Sequence, residues 1–86
     1  MAVLVKPDGS YGIVSPKKGE TFTLEELQEF VGGYIEITPS KIEGTVLVVN
    51  EEGLLNNLPY NHKSSLLSQA GYIVGPAIHL TEDELD

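Results

Sequence analysis

No cysteine occurs anywhere in the 86 residues. That absence excludes disulfides, cysteine nucleophiles and thiolate metal sites together. Arginine is absent too: the basic residues are five lysines, set against thirteen acidic residues, for a formal net charge of −8. Arginine is the residue best suited to bidentate contacts with phosphates and base edges, so direct nucleic-acid binding is not expected. Long apolar runs are also missing. No stretch approaches the roughly 18 apolar residues of a membrane-spanning helix. The opening "MAVLVKPDG" has too short an apolar run for a signal peptide, and its nearest charge follows the run instead of preceding it. The expectation is a cytoplasmic protein with no membrane partner.

What is present describes one small domain. Apolar residues make up 41% of the chain, too many for a disordered segment. At this length a single hydrophobic core is only just sufficient, and with no covalent staple a homo-oligomer is the natural way to bury more surface. The acidity has two readings. One is a solvated surface that keeps the protein dispersed; the other is an acidic face that imitates DNA or docks on a basic partner.

Local signals divide the chain. "AVLV" reads as a short strand, Pro7-Asp8-Gly9 as a tight turn, and Tyr11 to Ser15 as the returning hairpin strand. "FTLEELQEFVGG" carries a capping box, with Thr23 and Glu26 three residues apart, and a hydrophobic staple of Phe22 and Leu27. Leu24, Leu27, Phe30 and Val31 form one apolar face, and Gly32 supplies a left-handed stop. A helix from Leu24 to Val31 follows.

Gly33 to Thr38 and Thr45 to Asn50 read as strands. In the first, Tyr34, Glu36 and Thr38 alternate with Ile35 and Ile37 and predict one wet face; the second is apolar on both faces, as a central strand is. Gly53 suits a positive φ after a turn, letting "LLNN" (54–57) pair back as a further strand. Asn61 is an N-cap candidate for a short helix over His62 to Gln69. "GYIVGPAIHLT" is a last strand broken at Gly75-Pro76. The fold expected is α+β: a small, mostly antiparallel sheet with two short helices, in the order ββαββ(β)αβ. It occupies residues 1–80, and 81–86 form an acidic, solvated tail.

"LEELQEFVGGYIE" (24–36), "VNEEG" (49–53) and "LPYN" (58–61), followed by a helix and "IVG" (73–75), together resemble a small family of phage and mobile-element proteins known only as a domain of unknown function. The shared pattern is GGYIE, then NEEG, then LPxN, over about Thr23 to Gly75. The resemblance implies a phage-type origin and a stand-alone domain, and it carries no catalytic residues. Members commonly place a glycine before the Leu-Pro and an arginine after the final asparagine; this chain has Asn57 and His62-Lys63 there.

The segment "VNEEGLLNNLPYN" (49–61) holds four asparagines. Turn and cap chemistry accounts for Gly53, Pro59 and Asn61, and Asn50 can bond its own turn. Asn56 and Asn57 have no such role, and with Tyr60 they concentrate neutral donors, acceptors and a stacking ring. His62 and Lys63 open the second helix, where amides favour anions; an exposed first turn is the plainer explanation of them. Ser64 and Ser65 beside His62 lack a third orienting group for a nucleophile–base pair. His79, alone on a strand, reads as a satisfied or edge residue. Two distant histidines give no metal-binding spacing, and Gly32-Gly33 follows a helix, where a phosphate loop precedes one. Adjacent Glu51 and Glu52 diverge as turn residues.

The function expected is therefore binding, not catalysis, with no cofactor and no metal. The candidate ligand-binding residues are Gly33, Tyr34, Asn57, Tyr60, Asn61, His62 and Lys63. The leading partner is a small polar or nucleotide-like signal held by a homo-oligomer, as a counter-defence protein would hold it in the host cytoplasm. The alternative is an acidic interaction protein, either a DNA mimic or an inhibitor of a basic host protein.

Overall fold

A computed structural model describes residues 1–85. The elements are β1 (Ala2–Val5), β2 (Tyr11–Val14), α1 (Leu24–Val31), β3 (Ile35–Pro39), β4 (Thr45–Asn50), α2 (His62–Leu67) and β5 (Ala77–Thr81), closed by a 3₁₀ turn at Glu82–Glu84. The strands form one sheet in the order β2-β1-β5-β4-β3, with every neighbouring pair antiparallel. The architecture is the α+β fold expected. The last strand takes the centre, so the sheet closes only when residues from both ends of the chain have met.

Alternation along the two inner strands fills both faces of the sheet. Val46 and Val48 of β4 and Ile78 and Leu80 of β5 join Phe22, Leu27 and Val31 in one cluster under α1. The alternate residues Leu47, Val49 and Ala77 pack with Ile73 on the opposite face, the side of α2. Burying a side chain the size of Leu27 or Phe22 contributes about 1.5–3 kcal/mol, which anchors a helix of only eight residues.

The start and stop of α1 are set locally, as its sequence predicts. The Glu26 amide donates to Thr23 Oγ1 at 3.1 Å, and the Thr23 amide donates to Glu26 Oε1 at 3.0 Å. Glu26 Oε2 also accepts from the Lys17 amide at 2.9 Å. The Thr23 amide, then the Lys17 amide, hold the Glu26 carboxyl below its ordinary pKa. Gly32 ends the helix at φ 83°.

Several expectations are corrected. Residues 54–57 form no strand: Asn56, Asn57 and Leu58 donate backwards to Glu52, Leu54 and Gly53, so their amides are engaged in a coiled turn. The left-handed residue of this segment is Asn57, at φ 54°, and not Gly53. Gly53 is needed for closeness, since a Cβ there would lie 2.7 Å from Val74 Cγ2.

On β3 the expected wet face is also wrong, because Thr38 is 7% exposed and Ile37 is 50% exposed. Both sheet faces are covered, and Ile37 lies on the edge strand where apolar cover thins. The helix α2 stops at Leu67, two residues short of the expectation. Ser68 turns extended and bridges to Ser40, next to the Gln69 amide's bond to Pro39 O.

In the acidic C-terminal segment Glu82 and Asp83 are exposed, while its next two residues are held to the fold. Glu84 lies 3.2 Å from the Met1 amine, its carbonyl accepts from the Phe22 amide, and Leu85 packs on the core cluster. Residue 86 lies outside the described residues.

Candidate functional site

The Asn-rich segment divides into side chains committed to the fold and side chains left open. Asn50 is committed. Its Oδ1 accepts from the Glu52 amide at 2.8 Å and its Nδ2 donates to Val31 O at 3.1 Å, so it joins the end of α1 to the turn after β4. The first of these bonds is the turn role its sequence position suggests.

Asn61 is committed more deeply. It is 0% exposed. As the N-cap of α2 it accepts from the Ser64 amide at 3.0 Å. Its Nδ2 donates to Val5 O at 3.0 Å and to Gly75 O at 2.8 Å. One side chain thus ties the start of α2 to β1 and to the bend before β5, and it has no polar group free for a ligand.

Ser64 and Ser65 are buried as well. Ser65 Oγ donates to Asn61 O and accepts from the Ile73 amide. Ser64 Oγ meets His79 Nε2 at 2.9 Å across the helix–sheet junction. Burial holds His79 below the ordinary histidine pKa, because an imidazolium there would lose its hydration. Lys63 also points back to the protein: its Nζ donates to Gly9 O at 2.8 Å and lies 4.9 Å from the centre of the Tyr11 ring.

The open residues fall in two places. Tyr60, 44% exposed, stands 5.1 Å ring to ring from Tyr72, 62% exposed, and 6.0 Å from the His62 ring. A single bridge between Tyr60 and Val74 brings these rings together. Tyr72 is missing from the residues nominated by sequence, and no local signal would have found it, since its neighbour lies twelve positions away.

The second place is a depression of about 260 Å³ at the end of α1, lined by Gln28, Gly33, Tyr34, Asn50, Glu52 and Asn56, among others. It takes in Gly33 and Tyr34 as nominated. Asn56 faces it, whereas Asn57 serves as the left-handed residue of the turn. A separate depression of about 130 Å³ lies over β3, with Glu36, Leu54 and Tyr72 on its walls. Pockets for a small molecule usually span roughly 300–1,000 Å³, so each of these is an incomplete site by itself.

The chain belongs to the family described as "Domain of unknown function (DUF3846)", whose sequence model matches residues 1–86. No curated protein and no solved structure matches the chain. No helix among the described residues is long and apolar enough to cross a membrane.

Proposed function

We propose that this DUF3846 domain works by binding, and that it holds a small planar polar molecule, of the class of a signalling nucleotide, against Tyr60 and Tyr72 between two copies of the chain. The observation that carries this reading is the exposed ring pair with His62 beside it. Tyrosine faces suit nucleobases because every base offers a π-face, and such stacking contributes about 1–3 kcal/mol per base. The polar side chains nearby are engaged within the fold, which leaves the rings and His62 as the contact groups. A second copy supplies the wall that one chain lacks. The exposed Leu54 and Leu55, on the loop leading to Tyr60, suit such a contact. The family resemblance supports a phage-encoded setting in which the bound molecule is a defence signal withdrawn from the host cytoplasm.

Native mass spectrometry after incubation with a panel of mononucleotides and cyclic dinucleotides tests this. The expected result is a multimer retaining one compound stoichiometrically, with Tyr60→Ala and Tyr72→Ala each weakening retention about tenfold. A bare monomer throughout the panel would overturn it.

A second reading rests on the charge. Among the described residues the one ion pair joins the Met1 amine and Glu84, so Glu25 and Glu29 stand exposed along α1 without a cationic partner, whereas Glu36, paired with Val49, lies on the other face of the sheet. Such a surface suits docking on a basic protein. Binding of that kind weakens steeply as salt rises, whereas a stacked ligand responds little.

A further inference from the structure

We infer that the depression at the end of α1 is a receptor for one arginine side chain presented by a basic partner protein. The inference deepens the second reading by naming its contact site, and it is independent of the ligand at Tyr60.

Four observations point to a cation. The C-terminal end of a helix is the negative end of its dipole, and the last turn of α1 has no basic residue to offset it. Glu52, an exposed carboxylate, stands on the wall of the depression, and Gln28 and Asn56 add neutral amide oxygens. Tyr34 is 65% exposed beside them and offers a ring face. No lysine and no histidine lines this depression.

The arrangement is built, not incidental. The Glu51 amide donates to Tyr34 O at 2.8 Å, which fastens the turn to the residue that carries the ring. Asn50 holds the Glu52 amide on one side and the last carbonyl of α1 on the other. Gly33 lets Asn50 sit close, since a Cβ there would press on Asn50 Nδ2 at 3.1 Å.

The chemistry selects a guanidinium over an ammonium. Its plane can lie on Tyr34 while its fork of N–H donors meets the Glu52 carboxylate and the amide oxygens. The occupant is not a second copy, because this chain contains no arginine. A net charge of −8 steers a basic protein toward the surface before the side chain is seated.

The test is a titration of the ¹⁵N-labelled protein with N-acetyl-arginine amide, compared at constant ionic strength with the lysine and the uncharged citrulline counterparts. The arginine compound should produce saturable shifts at Gly32, Gly33, Tyr34, Glu52 and Asn56. Glu52→Gln should weaken it about two- to fivefold, the usual weight of an exposed ion pair, and Tyr34→Ala should weaken it as well. Glu43→Gln, in the exposed loop between β3 and β4 and outside this wall, should leave it unchanged. Shifts spread evenly over the acidic surface, or an equal response to citrulline or lysine, would overturn the assignment. Failure of the whole protein to capture any basic protein would sink the docking reading instead, because the titration alone decides the site.

Discussion

Ser64 Oγ and His79 Nε2 stand 2.9 Å apart and join α2 to the central strand of the sheet. Neither neighbours the other in sequence. The contact makes a histidine that local sequence reads as a lone strand residue into the polar anchor of a helix of only six residues.

That anchor has a pH signature. Burial lowers the folded pKa of His79 below its ordinary 6.5, while the unfolded chain keeps the ordinary value. As pH falls through 6.5 the unfolded state takes up the proton first. Stability therefore holds above that pH and declines below it, until the lower folded pKa is passed. Urea midpoints measured between pH 8 and pH 5 should fall over this window, and His79→Gln should flatten the fall. An unchanged slope in that variant would show that another group titrates.

Asn61→Ala should be among the most damaging single changes. It removes three hydrogen bonds at a fully buried position and strands the carbonyls of Val5 and Gly75. We expect a loss of about 3 kcal/mol or more from the unpaired groups, read from equilibrium denaturation. Asn61→Asp should be nearly as severe, since its carboxylate can keep the cap but cannot donate.

Thr23→Ala should cost about 1 kcal/mol, the ordinary weight of an N-cap. Thr23→Ser should recover most of it, because the hydroxyl that accepts from the Glu26 amide is kept. Thermal or urea melts of the three proteins distinguish the cap from general packing, and equal loss in the serine variant would rule the cap out.

Two glycines separate backbone strain from crowding. Gly32 has φ 83° and open space where a Cβ would stand, whereas Gly75 has φ 76° and Leu58 Cδ1 only 2.6 Å from that position. Gly32→Ala should cost about 1 kcal/mol from conformation alone. Gly75→Ala should cost clearly more, because Leu58 must move as well. Comparable losses would mean that Leu58 yields freely.

Local chemistry was legible wherever partners lie within a few residues. The limits of α1, its capping box and Gly32 follow from contacts across three to five positions, and the solvent has little say in them. Strand β4 was legible because its run of apolar residues has to be covered on both faces. Segment 54–57 departs from the expected strand because that expectation rests on Gly53 as the left-handed residue from which the chain pairs back, whereas Asn57 takes that conformation and the backbone amides find partners inside the turn.

The site divides along the same line. Turn and cap roles for Asn50 and Asn61 could be read from neighbouring residues, since each includes a bond to a residue two or three positions on. Their other bonds, from Asn50 to Val31 and from Asn61 to Val5, span 19 and 56 positions. Those depend on which strands come to lie side by side, and so do the meeting of Tyr60 with Tyr72 and of Glu52 with the end of α1. Strand order is settled by burying both faces of the sheet at once, a condition on the whole chain that no short stretch of it contains. Composition and periodicity specify the helices, the strands and the acidic surface; packing selects which polar groups the fold consumes and which remain free to bind.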